Sequence, residues 1–572
     1  MSNQEIANVL NEIAYLQEML GIAWKPIAFH RAARVIEGLS ENIEELYNSK
    51  GLTGLTELPS IGEGIAKKIV QFIETGKIDD REELLKKIPE SVLALLNING
   101  LGPKKVAVLF KKLNIQSVNQ LEQAAKQGMI QKLEGFGMKS EKEILKGISL
   151  LKQGAEHMLL GQALPIARSI AASLRKVKGV VCVNIVGSLR RMKESVKDID
   201  ILVIAKQPEK VMQEFVTLSD VQDIIVKGKA KTSVRLLQGL NADLRVFAQK
   251  EYGSAMIYFT GSKDHNVSLR QIAISKELKL NEYGLFKNKK LVAGYSEKEL
   301  YNALKLDWIA PELREWPNAI ELAKAHKLPD IISYNAILGD CHMHTTWSDG
   351  VNSAEEMLQA CIDRGYEYIA ITDHSKANTT GNGLDEKRLV KYLAEVDGLQ
   401  KKYPAIHILK GAEIDILSSG ALDYSPKILK LLDWRIGAIH LGLKNPKDIM
   451  TKRMLTAINS GWLHALAHPS GRLINEREAS EFDADLVFSA AQKSGVVLEV
   501  NANYHRLDLK DNHVKLALKH DCKLIINTDS HSLNNLEFMQ LGIGQARRGG
   551  ATANDVLNTL SWKRFEKFVN SR

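Results

Sequence analysis

Apolar residues recur at helical spacing at the front of the chain, as in Ile6, Val9, Leu10, Ile13 and Leu16. This period predicts helices from residue 1 to about 150. Glycine-containing turns interrupt them. Three of these turns look alike: LPSIGEG at 58–64, INGLGPK at 98–104 and LEGFGMK at 133–139. Each is an apolar, glycine-rich hairpin leading into a helix. From about residue 180 the period changes. VVCVNIVGS, DIDILVIA and LNADLRVFA (240–248) are rich in β-branched residues and predict strands. A mixed region follows to about Pro317, and the stretch to Asn335, with a Pro329-Asp330 turn, reads as a linker. Beyond it, short apolar runs alternate with helical patterns. The strand candidates are AILGDCHMH, YIAITDH, HILKGAEIDI, WRIGAIH, LHALAHP, VVLEVNA and KLIINTDSH. Buried strands alternating with helices predict a parallel barrel. Polar residues sit at the C-terminal ends of these strands, the face on which such barrels build active sites.

The chain has 572 residues, of which 45% are hydrophobic and 25% charged. That length predicts three to five domains with real cores. The net charge of +9 favours a polyanionic partner without proving one. Cys182, Cys341, Cys361 and Cys522 share no CxxC spacing, which fits a reducing compartment. The N-terminus has no basic-then-apolar leader, and no apolar run approaches a membrane span. A monomer in the cytoplasm, with no membrane partner, is expected.

The hairpins carry the first chemistry. A GxG turn before a helix exposes backbone N–H groups that bind a phosphate without reading base sequence. One copy is also what a tight helix–helix turn needs. Three copies favour DNA, through Gly62, Gly64, Gly100, Gly102, Gly135 and Gly137. Lys67, Lys68, Lys104 and Lys105 add candidate phosphate contacts.

The segment VGSLRRMKESVKDIDILV carries the second. Gly187-Ser188 ends a strand, and Asp198 and Asp200 lie two apart on the next. Alternate strand residues share a face, so both carboxylates point into one cleft. Asp243 adds a third from another strand. Such a cluster repels itself unless hard cations, Mg²⁺ or Mn²⁺, lie between the oxygens. A lone DxD is common, but GS followed by DxD at this spacing signals nucleotidyl transfer.

Residues 187–200, GSLRRMKESVKDID, closely resemble the palm motif of family X DNA polymerases, the DNA polymerase beta family. YFTGSKDHNVSLR at 258–270 resembles that family's thumb motif, and NEYGLF at 281–286 continues the match. The resemblance makes Asp198, Asp200 and Asp243 the catalytic metal carboxylates, with Asp243 helping to activate the primer hydroxyl. It makes Gly187, Ser188 and Arg191 triphosphate ligands. Tyr258, Phe259 and Gly261 line the nucleotide pocket, Asn266 reaches the base's minor-groove edge, and Arg270 contacts the template. AFHRAARVIEGL and LPSIGEGIAKKI resemble the family's lyase domain, with Lys68 at the Schiff-base position. Three positions depart from the pattern: Gly64 replaces a second lysine, Phe29 a pocket tyrosine, and Asn241 an arginine of the vertebrate relatives.

The last region is rich in histidine at strand ends. His342, His344 and Asp349 follow the first strand, with His374, Glu413, His440, His468, Asp529 and His531 after later ones. A lone histidine is more often a core residue, but packing does not explain ligands at six strand ends. Mixed imidazole and carboxylate suit Zn²⁺, Mn²⁺ or Fe²⁺, and nine ligands suffice for three ions. Residues 336–572 resemble the PHP family (polymerase and histidinol phosphatase), with all nine motif positions filled. Asp373 is expected to orient His374, His464 to be a core or surface residue, and His505 to be able to touch substrate.

The resemblances imply a lyase-like DNA-binding domain at 1–85, fingers with helix-hairpin-helix motifs at 86–150, and an α+β palm at 151–252. A thumb at 253–317, a linker at 318–335 and a distorted (βα)7 PHP barrel at 336–572 follow. The linker is expected to let the barrel swing. They imply a polymerase using dNTPs on gapped or primed duplex DNA in base excision repair, with Mg²⁺ or Mn²⁺ at the palm. They imply a barrel with Zn²⁺ or Mn²⁺ acting as 3′-to-5′ exonuclease and as abasic-site or 3′-end processing enzyme, and a 5′-deoxyribose phosphate lyase. The alternatives are a histidinol-phosphate-type phosphatase with a DNA-binding adaptor and a non-catalytic DNA-end scaffold.

Overall fold

A computed structural model describes residues 3–571 apart from 38–41, 59, 99–100, 139, 143, 146–147, 149–156, 229–230, 476 and 478. The chain forms two compact units. The first comprises Met1–Met158, Ile166–Val186 and Lys197–Phe259, and the second Leu159–Pro165, Gly187–Val196 and Thr260–Arg572. Among the described residues no helix is long and apolar enough to cross a membrane.

The front of the first unit is helical, from Asn3–Met19 to Val118–Lys126. The three similar sequence turns share one backbone hydrogen bond. Ile61 N donates to Leu58 O at 3.2 Å, Leu101 N to Ile98 O at 3.0 Å, and Phe136 N to Leu133 O at 3.0 Å. Ile61 and Leu101 are buried in the helical core, and Phe136 packs against it. The apolar residue anchors the turn while the glycines face outward. A Cβ placed on Gly62, Gly64, Gly102, Gly135 or Gly137 would meet nothing within 4 Å. Gly100 lies outside the described residues.

The rest of this unit is built on a five-stranded sheet. Its strands are β1 (Val180–Ile185), β2 (Asp198–Ala205), β3 (Val221–Lys227), β4 (Lys231–Leu236) and β5 (Asn241–Phe247), in the order β1-β2-β5-β4-β3. β2 and β5 are parallel and the other neighbours antiparallel. The apolar run of DIDILVIA buries Ile199, Ile201, Leu202, Val203 and Ile204, which pins the register and so aims the aspartates.

In the second unit, the helix Lys263–Ser275 precedes the antiparallel meander β6 (Lys279–Asn281), β7 (Gly284–Lys287) and β8 (Lys290–Ala293). Seven parallel strands then pair in chain order: β9 (Gly339–Asp340), β10 (Tyr368–Ile371), β11 (His407–Asp415), β12 (Trp434–Ala438), β13 (Ala465–Leu466), β14 (Val497–Asn501) and β15 (Leu524–Asn527). The two ends meet through a Met343–Ser530 bridge and the bond from His344 N to Ser530 O at 2.8 Å. Every strand predicted from its apolar run is present, in a nearly closed barrel.

The expected linker is instead packed. Ala319–Lys324 is a helix, Ile332 belongs to the barrel's core, and Tyr334 Oη donates to Glu312 at 2.8 Å. Trp316 Nε1 donates to Arg548 O at 2.8 Å, and the Lys515 ammonium lies 4.0 Å from the Trp316 ring centre. The Pro-Asp turn read as a break because polarity marks a turn whether or not its flanks are buried.

Candidate functional site

Two clusters of charged side chains stand out, one in each unit. In the first, Asp200 on β2 sits directly opposite Asp243 on β5, and Asp198 opposite Asn241. The parallel register and the two-residue strand period put three carboxylates at one end of adjacent strands. Burial, then the neighbouring Asp198 and Asp243 charges, push Asp200 up to about 7. Ser233 Oγ on β4 donates to Asp243 Oδ1 at 2.5 Å, and Lys231 Nζ lies 3.3 Å from Asp243 Oδ2. Sequence reasoning missed both, although Lys231-x-Ser233 carries the same alternation as Asp198-x-Asp200. The hard oxygens and mutual repulsion of this donor set fit Mg²⁺ or Mn²⁺.

A pH effect follows. Asp200 keeps its proton in the metal-free native state to near pH 7, whereas an unfolded chain releases it near the ordinary ~4. Metal-free stability from this group is therefore lost as pH rises through that window, and a divalent cation bound by the ionised carboxylate would restore it. The thermal midpoint gained on adding Mg²⁺ should be larger at pH 8 than at pH 6, and Asp200→Asn should erase that difference. An identical gain at both values in wild type would contradict it.

Tyr258 and Phe259 sit on the helix Tyr252–Thr260 with ring centres 4.9 Å apart. Phe259 packs against Phe247 at 5.5 Å and under the Arg245 guanidinium at 4.5 Å. In the second unit, Gly187 takes a left-handed φ of 63°, which turns the chain sharply into Ser188. Arg191 Nε pairs with Glu315 at 2.7 Å, and its Nη1 donates to Thr260 O, beside Gly261. Asn266 and Arg270 lie one turn apart on the helix Lys263–Ser275. Lys68, on the helix Glu63–Thr75, pairs with Asp80 at 2.6 Å. Phe29 is buried in the helical core.

The second cluster gathers all nine expected ligands at the barrel mouth. They form overlapping groups: His344, Asp349, His374 and His531; His342, Glu413 and His468; His342, His344 and Asp529; His374, Glu413 and His440. Glu413, from β11, is the hub. Its Oε1 lies 2.8 Å from His468 Nε2 and 3.3 Å from His440 Nε2. Its Oε2 lies 2.7 Å from His374 Nδ1 and 3.6 Å from His342 and His344 Nε2. His344 Nε2 also lies 3.2 Å from Asp529 Oδ1, and His531 Nε2 3.5 Å from Asp349 Oδ1.

These atoms fit cations. His342 Nε2, His344 Nε2 and His374 Nδ1 are buried around Glu413 Oε2 at 2.7 to 3.6 Å without the alignment of a full hydrogen bond. Ligand pairs 3.2 to 3.6 Å apart suit two donors on one ion at about 2.1 Å. Burial pushes His374 down, but Glu413 outweighs it and lifts the group to about 10. Burial, then His531 and His374, push His344 to about 3.

The supporting residues were mostly illegible beforehand. Glu499, buried on β14, accepts from His468 N at 2.8 Å and lies 2.8 Å from His342 Nδ1. Asp415 holds His440 Nδ1 at 3.0 Å. A lone glutamate in the apolar VVLEVNA was the available signal. Asp373 does not orient His374. It accepts from Thr345 N, Ser348 N and both hydroxyls, bracing the loop between His344 and Asp349. Next to His505, Arg506 lines the cavity of about 330 Å³ with Asn378, Thr380 and His440, its Nε 3.4 Å from Asp529. His505 is not among the residues lining that cavity, and its ring lies 4.2 Å from Tyr504. His464 is a buried residue stacked on Trp434.

The comparisons with known proteins fall on these parts in order. A helix-hairpin-helix domain model matches residues 1–78, and a SAM-like helix-hairpin-helix tandem 92–149. The DNA polymerase beta thumb matches 255–315, and the PHP domain 340–503. The barrel continues past that last span to β15, Asp529 and His531. "Probable phosphatase YcdX" of Escherichia coli O81 (strain ED1a) is 30% identical over 28% of this chain and 63% of its own length. That match leaves most of the chain unaccounted for. "DNA polymerase lambda" of Rattus norvegicus is 22% identical over 55% of this chain and 56% of its own. "DNA polymerase/3'-5' exonuclease PolX" of Bacillus subtilis (strain 168) is 36% identical over 100% of this chain and 99% of its own. With identity running end to end and the thumb and PHP models both matched, this chain belongs to the family X DNA polymerases that carry a PHP domain.

Proposed function

We propose that the chain fills short gaps in DNA and trims 3′ ends, with synthesis at the palm aspartates and hydrolysis at the barrel mouth. The observation that carries this reading is the presence of two separate clusters, three aspartates on adjacent palm strands and nine histidine and carboxylate side chains at the barrel mouth. Asp198, Asp200 and Asp243 hold Mg²⁺ or Mn²⁺. Such ions supply the charge that favours an ionised 3′-hydroxyl and a departing pyrophosphate. Ser188 and Arg191 bind the triphosphate with the Gly187 turn. Tyr258, Phe259 and Gly261 shape the sugar pocket, Asn266 reads the base edge, and Arg270 holds the template. The hairpin glycines bind backbone phosphates.

At the barrel, up to three Zn²⁺ or Mn²⁺ ions are held by His342, His344, Asp349, His374, Glu413, His440, His468, Asp529 and His531. Ions there supply an acidified water and charge for a phosphoryl oxygen. Arg506 and Asn378 orient the phosphate within the cavity, and Glu499 and Asp415 fix the imidazoles they touch. Abasic-site cleavage and 3′-end cleaning use the same mouth. Lys68 provides a lyase nucleophile once released from Asp80.

A one-nucleotide gap with a 5′-deoxyribose phosphate tests the repair reading in one tube. With dNTPs and Mg²⁺ or Mn²⁺ the primer should grow by one residue faster than on an open template. Borohydride should trap an adduct that Lys68→Ala abolishes. Equal rates on gap and open template would remove the gap-filling assignment, and the absence of any adduct would remove the lyase.

A further inference from the structure

The loop Gly187–Val196, which the reading above assigns to the triphosphate, is gripped by the barrel. Glu194 Oε2 accepts from Arg472 Nη2 at 2.8 Å, and Glu194 Oε1 lies 3.6 Å from Lys510 Nζ. Arg472 is buried, stands four residues after the ligand His468, and also donates to Leu507 O at 2.6 Å. A second hold acts on the main chain. Arg548 Nη1 donates to Arg191 O at 2.9 Å while its Nη2 pairs with Asp511 at 2.5 Å. A third is steric. Gly544, on the helix Met539–Gly549, leaves room for Met192, since a Cβ there would stand 2.5 Å from Met192 Cε and 3.1 Å from its Cβ. Met192 itself has a left-handed φ of 52°, a conformation a non-glycine residue keeps only when its surroundings impose it.

The thumb side also holds this loop, through Arg191. Its guanidinium meets Glu315, which Lys193 approaches at 3.5 Å. Burial pushes Glu315 up, but Arg191 beside it outweighs that and keeps its carboxyl below the usual range. Main chain and side chain of the loop are thus fixed from two directions. The barrel residues that fix it lie outside the metal ligands.

We infer that the barrel is a positioning scaffold for the polymerase: Arg472, Arg548 and Gly544 set the triphosphate loop, so barrel substitutions away from the metals weaken dNTP binding. The inference rests on the assignment of Ser188 and Arg191 to the triphosphate. A misplacement of about 1 Å in a binding group can cost up to 100-fold, and a loop shift here should act on the nucleotide step first.

The test uses the full chain and steady-state filling of a one-nucleotide gap. Gly544→Leu should raise the dNTP KM by about 3- to 10-fold with kcat changed less than about twofold, the signature of lost binding rather than lost chemistry. Glu194→Gln, a milder change that spares the barrel, should move KM in the same direction. Barrel exonuclease on single-stranded DNA is read alongside as a folding control. Ser188→Ala separates the two failures. If it raises KM while Gly544→Leu and Glu194→Gln leave KM unchanged, the scaffold inference is overturned. If Ser188→Ala itself leaves KM unchanged, the triphosphate assignment falls first. Should Gly544→Leu lose the exonuclease and its thermal transition, Glu194→Gln alone decides.

Discussion

Replacing Asp198 and Asp200 by alanine should lower primer extension by about three to five orders of magnitude, the factor that several kcal/mol of lost transition-state stabilisation produces. The two lie on one strand with Asp243 opposite Asp200, so removing the pair leaves one carboxylate, already bonded by Ser233 and close to Lys231. A single carboxylate paired with an ammonium has little charge left for a divalent ion. Trimming of 3′ ends should persist, because none of the nine barrel ligands lies on the palm sheet. Single-turnover extension of a gapped duplex reads the first effect, and release of the 3′ nucleotide without dNTPs reads the second. Extension by the double variant within tenfold of wild type would show that the aspartates do not carry the transfer.

Glu413→Gln should have the opposite effect, with exonuclease rates falling by about three orders of magnitude and extension retained. Glu413 faces five imidazoles, and its two oxygens serve separate groups. An amide keeps the shape but loses the charge and offers one donor where an acceptor is needed. The substitution therefore strikes at least two of the candidate ion positions together. Metal content by mass spectrometry should drop with the activity. Full metal content with full exonuclease activity would sink the assignment of the hub.

Much of this was legible before the fold was known, for physical reasons that differ by region. The barrel strands are buried on both faces, so each appears as an apolar run, and ligands at their ends follow automatically. Asp198 and Asp200 were legible because a two-residue period fixes a shared face. Glu499 was not, because its partners His342 and His468 come from the ends of other strands, 157 and 31 residues away in sequence. Asp373 shows the converse limit. Adjacency to His374 suggested support for that ring, yet Asp373, just past the end of β10, braces Thr345 and Ser348 instead. The supposed linker failed similarly. Its polar turn concealed Ile332, buried in the barrel's core, and Tyr334, bonded to Glu312 of the expected thumb.

In the proposed reading, the three palm aspartates and the barrel mouth make opposite claims on one DNA end. Their balance can be measured as the length of a 5′-labelled primer in a gapped duplex, followed as dNTP concentration rises. The wild-type chain should shorten the primer without dNTPs and pass to net extension as they are added. Asp198→Ala with Asp200→Ala should shorten it at every concentration, and Glu413→Gln should only extend it. Extension by the aspartate variant, or continued shortening by Glu413→Gln, would contradict two separate centres in one chain.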